Sequence, residues 1–475
     1  MDVSSNSEGE TLNRNRSIVA SVIICSMMVL IAAVPTIISD TNAASNEGDY
    51  YFSGSLMDIL SDSKGISDKN YKVSWSLEGS LGYAIVNDHV YVATKDGNLN
   101  KVDMSSGEIV KSVKTDVING DCPTVGGGLV LDPRSGNVYD LDLNQKYKID
   151  ASSELAYYDD GYWYVVQANK ECRAFTIEDE DPTSDANVQS AKWTSKFCFY
   201  IDGFTLPVSV AFSDKALFYP GIGEEDMTKR IVYSVDKRTG VQLDSYEMTE
   251  IPSTFWNSGF IHQVDGTVMI STHWDNMFGP LGDGSKPVFV SIDTNKDGTF
   301  VKDSVKYIRN GTDNSYSSCL VKIGDLGFAQ TGSSFKVFDL SDDNKVIAST
   351  DFDKRLSKTY SNIAIATGTD DYVYGYVSPA GIPESFTSPS DGLICFEYRI
   401  STNEIRAFDL NVGEEVAGSA SNVKIGPNGE VIFMKSDSKI YCISKGSTDD
   451  GNSALIIAAI LAVAMIAFMA VMRRR

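Results

Sequence analysis

Residues 81–114 read LGYAIVNDHVYVATKDGNLNKVDMSSGEIVKSVK, and this stretch decides the fold. Short apolar-alternating runs are split by polar turns. Residues 84–86 lead into Asn87-Asp88, residues 90–94 into the turn KDGN, and residues 99–103 into SSGE, after which IVKSV forms a fourth run. Alternation at period two gives a strand with one buried face, and Asn-Asp or Asp-Gly between such runs reverses the chain. The stretch therefore reads as an antiparallel meander. Four strands in about 40 residues is the size of one propeller blade.

Working outward, the same order of apolar run, turn, apolar run, loop and apolar run recurs to give eight copies. Seven of the first turns fall in register, at Asn87-Asp88, Asp160-Gly161, Ser213-Asp214, Asp265-Gly266, Gly324-Asp325, Asp370-Asp371 and Asn428-Gly429. The longer copies carry insertions at 221–229, 275–286 and 378–391. One four-stranded sheet cannot bury both of its faces. Radial stacking covers them and leaves only short edges. The expected fold is all-β, a β-propeller of eight four-stranded blades. Seven is the alternative, because copies three and seven are irregular. The eighth copy ends after its third strand, at 439–444, while YKVSWSL at 71–77 has no partner. That strand is expected to close the ring as the outer strand of the last blade.

Both ends carry apolar segments. Residues 17–39 contain no charged side chain and span 23 residues, with Arg14 and Arg16 just before them. At about 1.5 Å per residue they suffice to cross a hydrocarbon core of about 30 Å. Residues 454–472 are 19 uncharged residues followed by Arg473, Arg474 and Arg475. Basic flanks stay in the cytoplasm. The expected organisation is a cytoplasmic tail at 1–16, a transmembrane helix or signal anchor or peptide at 17–39, a linker at 40–70, an extracytoplasmic propeller at 71–445, a polar linker at 446–453, a second transmembrane helix at 454–472 and a cytoplasmic Arg tail at 473–475. This places the chain at the cell membrane with its bulk outside. The C-terminal layout of polar stalk, apolar helix and basic cluster resembles the anchors of prokaryotic, especially archaeal, surface proteins.

The net charge is −23. An acidic surface repels phosphate, which excludes nucleic acid as the expected partner. Membrane, and a protein or cell-envelope partner, are expected instead.

HVYVATKDGNLNKVDMSSGEIVKSV at 89–113 and KIYCIS at 439–444 resemble the repeats of the pyrroloquinoline-quinone-like (quinoprotein alcohol dehydrogenase-like) β-propeller superfamily. That resemblance implies the propeller fold and two kinds of relative, quinone-dependent dehydrogenases and outer-membrane assembly scaffolds. The dehydrogenases hold the quinone beside two adjacent disulfide-bonded cysteines. This chain has no Cys-Cys pair, so no quinone-binding residue carries over, and no catalytic or cofactor-binding residue is assigned.

The remaining candidates are local. Asp293, Asn295 and Asp297 match the start of a calcium loop, with Gly298 at the sharp turn, although Ser304 stands where the loop's final Glu would be. An Asx-bonded turn explains the same residues. Asn310 opens an N-glycosylation sequon. Six of the seven cysteines lie outside the first apolar segment, and only Cys172 and Cys198 look placed for a local disulfide. Cys122 and Cys319 open the inner strands of copies two and six and should face each other across the ring, too far to bond. Three histidines, His89, His262 and His273, do not make the three or four converging ligands that zinc needs. The acidic runs EDED at 178–181 and EED at 224–226 read as solvated loop charge rather than paired catalytic carboxylates. Trp274 and Phe278 are candidate aromatic anchors for a contact surface, the alternative being that both pack over the blade edge. The expected function is a membrane-anchored extracytoplasmic binding or scaffolding module. The alternatives are an extracellular enzyme acting on a small molecule or glycan in the channel, and a passive cell-envelope structural protein.

Overall fold

Each repeat of alternating runs forms one antiparallel sheet, and there are eight of them. The computed structural model describes residues 51–52, 60–61, 65–66, 71–115, 122–133, 135–150, 155–167, 171–184, 187–198, 209–251, 261–271, 289–309, 320–331, 334–351, 363–367, 371–377, 389–417, 423–434 and 439–446. Blade 1 comprises Ser80–Val86, His89–Thr94, Asn98–Asp103 and Ile109–Lys114 in spatial order. The pattern repeats through blade 7, whose third and fourth strands, Pro389–Arg399 and Glu404–Ala417, are much longer than the rest. The first strands of blades 1 and 2, 2 and 3, 4 and 5, and 7 and 8 touch one another, which marks the first strands as the inner edges.

Blade 8 closes the ring. Its order is Lys424–Ile425, Val431–Met434, Ile440–Lys445 and then Tyr71–Leu77. Tyr71 pairs with Lys445 and Leu77 with Ile440, with a bulge between Val73 and Trp75. The unmatched strand is thus the outer strand of the last blade, and the count of eight holds.

Apolar clusters lie between blades rather than within them. Ala211, Phe218, Val268 and Ile270 join blades 4 and 5, and Val321, Phe328, Val373 and Phe396 join blades 6 and 7. The largest cluster unites blades 7, 8 and 1 through Tyr376, Ile432, Tyr441 and Ile85. Burial on both faces is what the near-continuous apolar middle strands require. Each third strand tends to end in Asp, and the reason is local. Asp103 accepts from the backbone N–H groups of Ser105 and Ser106 at 3.0 and 2.8 Å. Asp236 accepts from Arg238 and Thr239 at 2.9 and 3.0 Å, and Asp339 from Ser341 and Asp342 at 2.9 and 3.1 Å. A carboxylate that caps its own turn satisfies donors the ladder leaves open.

Within 40–70, read from the sequence as a linker, the described residues join the propeller. Tyr51–Phe52 pairs antiparallel with the inner strand of blade 1, and Leu60–Ser61 pairs parallel with the inner strand of blade 7. Ile66 is buried, and its N–H donates to the Tyr376 hydroxyl at 2.6 Å. Inner strands otherwise present an unpaired edge to the channel, and these short strands cover part of it. Of the expected insertions, 221–229 begins inside a strand, since Ala216–Ile222 runs through Gly221. Among the described residues no helix is long and apolar enough to cross a membrane. Both apolar terminal segments lie outside the described residues.

Candidate functional site

The site emerges from how neighbouring blades are tied together. At three interfaces a ring on the fourth strand of one blade docks on the turn that follows the third strand of the next. The Trp75 indole of blade 8 donates to the Met104 carbonyl of blade 1 at 2.6 Å. The Tyr147 hydroxyl of blade 2 donates to Ile177 of blade 3 at 2.9 Å. The Trp193 indole of blade 3 donates to Lys237 of blade 4 at 3.1 Å. Each acceptor is the residue immediately after a third strand. At the interface between blades 5 and 6 the corresponding acceptor is Leu340, and the group that reaches it is the ammonium of Lys306, at 3.4 Å. A slender side chain replaces a ring, and a cleft of about 290 Å³ opens there.

Strand register builds the blade 5 wall. Ile261–Val264, Thr267–Ser271, Phe289–Asp293 and Lys306–Ile308 are its strands. Phe289 lies between Ser271 and Ile308, Ser291 between Met269 and Lys306, and Asp293 opposite Thr267. Opposed residues share a face. The face toward blade 6 therefore passes from apolar to polar along the third and fourth strands, from Phe289 to Ser291 and Asp293 and from Ile308 to Lys306. Phe289 and Ile308 pack with Ala329 and Phe338 of blade 6. Beyond them Thr267, Met269, Ser291, Asp293, Ser304 and Lys306 line the cleft. Blade 6 supplies Lys322, Asp325, Leu340, Ser341 and Asn344.

Several of these groups are already engaged. The Thr267 hydroxyl donates to Asp293 at 2.9 Å. The Ser304 hydroxyl donates to the Val301 carbonyl at 2.7 Å and accepts from the Asp293 N–H at 2.8 Å. The Ser341 hydroxyl donates to Asp339 at 2.7 Å. Lys322 is mostly covered, and among the described residues its carboxylate partner is Asp265, at 4.0 Å. His262 pairs with Met269, extending the row Met269–Ser291–Lys306 toward the channel. Its Nε2 is buried and has no hydrogen-bond partner among the described residues. Burial, and then the positive charge of Lys322, push the imidazole down to a pKa of about 4, so it is neutral at pH 7.

The residues singled out from sequence are dispersed. Asp293 reaches the cleft, but Asn295 and Asp297 do not. Asp297 accepts from the Thr299 N–H and hydroxyl at 3.0 and 2.7 Å, and the Asn295 amide donates to the Thr299 hydroxyl at 3.0 Å. The oxygens of this turn serve the turn, as Asx bonding does. Among the described residues no group of three or more His, Cys, Asp or Glu is gathered for a metal ion.

Cys172 and Cys198, expected as a local disulfide, are not bridged to each other. Cys172 lies opposite Ser195, and Cys198 is three residues further on, about 10 Å along a strand, against a Cα limit of roughly 7 Å for a bridge. Cys198 is tied to the next blade, where its N–H donates to Tyr219 at 3.2 Å and its carbonyl accepts from Ile222 at 2.8 Å. The inner strands that follow Cys122 and Cys319 do fall in blades 2 and 6, four apart in the ring. Cys319, His273, Asn310, Trp274 and Phe278 lie outside the described residues. The acidic runs are tied locally. Glu180 pairs with Lys192, Glu224 with Lys196 at 2.6 Å, and Asp226 accepts from the Thr228 N–H at 3.0 Å.

Sequence reading missed Lys306, Lys322, Ser291 and Asp325. A signal was present: among outer-strand docking positions, Lys306 stands where Trp75, Tyr147 and Trp193 stand.

The sequence matches no family model and no curated protein. Among solved structures the chain is similar to BamB from Moraxella catarrhalis, at 12% identity over 79% of this chain and 99% of that one, with a TM-score of 0.49. It is similar to the computationally designed Ika8 protein, at 13% identity over 81% and 99%, TM-score 0.49. It is also similar to the WD40 β-propeller domain of Doa1, at 10% identity over 80% and 99%, TM-score 0.37. The eight-bladed architecture rests on the strand pairing itself.

Proposed function

We propose that the chain is a binding or scaffolding propeller held at the cell membrane, with 17–39 and 454–472 as its membrane segments, 71–445 outside the cytoplasm, and a protein or cell-envelope component as its partner. The observation that carries this reading is the pairing of Tyr71 with Lys445. The strand that opens the propeller and the strand that ends it share one ladder, so the C-terminal apolar segment begins nine residues from the closing blade. Arg14 and Arg16 before the first segment and the three arginines after the second favour the same side of the membrane for both ends. A closed ring with its blades tied by docked side chains is a rigid frame, which suits presentation of loops to a partner. Its acidic surface disfavours nucleic acid.

The test is fractionation of cells expressing the full chain. Retention in the membrane pellet after alkaline carbonate, with the propeller cleaved by protease added to intact cells, is expected. Release into the carbonate supernatant, or protection from external protease, would overturn the placement. Crosslinking before solubilisation is expected to capture a discrete partner.

A further inference from the structure

We propose that the cleft between blades 5 and 6 is a binding site for a small neutral polyhydroxylated ligand, of the monosaccharide class. The inference stands whether or not the chain is membrane-anchored. Each wall carries one ammonium and one carboxylate. Blade 5 presents Lys306 and Asp293, and blade 6 presents Lys322 and Asp325. The signs balance, so an anion or a cation gains nothing overall. A hydroxyl both donates and accepts, so a polyol can donate to a carboxylate and accept from an ammonium at neighbouring positions.

The surrounding groups fit that exchange. Thr267, Ser304 and Ser341 are committed to protein partners. Lys306 has only its long contact to Leu340, and Lys322 only Asp265 at 4.0 Å, among the described residues. Both ammoniums therefore retain donor capacity. Ser291 lies in the row between Met269 and Lys306, and the row begins at His262, whose buried Nε2 has no hydrogen-bond partner among the described residues. Leu340, only partly buried, offers apolar surface for the C–H face of a ring. The volume of about 290 Å³ lies at the small end of ligand pockets, roughly 300–1,000 Å³, which suits one ring rather than a polymer segment.

The experiment is isothermal titration of the purified full-length chain with the methyl glycosides of glucose, mannose, galactose and N-acetylglucosamine, alongside glycine and acetate. At least one glycoside is expected to bind. Lys322→Gln and Asp325→Asn are expected to weaken it by about tenfold or more, the loss of one charge-assisted hydrogen bond. Lys306→Ala, on the exposed outer strand, should weaken it without disturbing the fold, which circular dichroism checks. No binding by any of the glycosides would overturn the proposal. So would binding that all three variants leave unchanged, or binding of glycine or acetate in place of the glycosides.

Discussion

Trp75 lies over Gly107. A methyl group built on Gly107 would sit 2.5 Å from the indole Cγ, and the same indole donates to the Met104 carbonyl at 2.6 Å. Trp193 repeats the arrangement in another part of the ring, donating to Lys237 and covering Gly240. In both places the turn reads Asp-x-x-x-Gly, from Asp103 to Gly107 and from Asp236 to Gly240, with the glycine at a positive φ of 75° and 72°. Asp caps the turn, and Gly both permits the left-handed backbone and leaves room for the ring. Gly107→Ala is expected to lose about 1–3 kcal/mol from the left-handed conformation alone, and more from the clash. Trp75→Ala is expected to lose about 3–5 kcal/mol. Denaturant unfolding of the full chain measures both.

Deleting Tyr71–Leu77 removes the outer strand of blade 8 and uncovers the ladder of Ile440–Lys445. Loss of the cooperative thermal transition is expected. A deletion mutant with an unchanged melting profile would contradict closure through this strand.

The neutral state of His262 makes stability depend on pH. Its folded pKa, about 4, lies below the unfolded value of about 6.5. Between these values the unfolded chain binds more protons than the folded one, so this contribution is complete above about pH 6.5 and declines as pH falls toward 4. The loss is on the order of 3 kcal/mol. His262→Gln should flatten the stability profile across this window, as read by urea midpoints at a series of pH values.

Asp103 acts in a lower window. Hydrogen bonds from the Ser105 hydroxyl, and then from the Ser106 N–H and hydroxyl, pull its carboxyl down to about 2. The sign is that of a depressed acid: the contribution is present above about pH 4 and is lost as pH falls through 2. Asp236 and Asp339 are lowered in the same direction. Asp103→Asn should reduce the steepness of acid unfolding below pH 4 while leaving the profile between pH 5 and 7 parallel to that of the parent chain.

Calcium should leave the melting temperature unchanged. The Asp297 carboxylate is bonded to Thr299 and the Asp293 carboxylate to Thr267, so an ion would have to break these bonds before gaining any of its own. A rise in melting temperature on adding calcium, abolished by Asp297→Asn, would contradict this.

Much of the fold is legible in single residues. Asn87, Asp160 and Asp265 fall at turn positions with positive φ, where Asn and Asp are the non-glycine residues best tolerated, and their spacing marks the blades. Tyr71–Leu77 stands out because it alternates yet has no neighbour in sequence to pair with. The candidate site is far less legible. Lys306 and Leu340 are 34 residues apart and meet only because two blades stack. Lys306 stands where three other blades carry a docking ring, but only the stacking of blades shows what it faces. Cys172 and Cys198 illustrate the reverse error: closeness in sequence suggested a bridge that register denies.

By itself, the sequence determined the repeat, the Asp-bearing turns and the strand that closes the ring, and it left eight blades against seven for the strand pairing to decide. These depend on period-two alternation and on turn chemistry, both written over a few consecutive residues. Only the tertiary structure decided that Tyr51–Phe52 and Leu60–Ser61 line inner edges, that Trp75 covers Gly107, and that Lys306, Lys322, Asp293 and Asp325 face one cleft. Those outcomes depend on which side chains of successive blades meet, and stacking between sheets brings together residues that no local pattern connects.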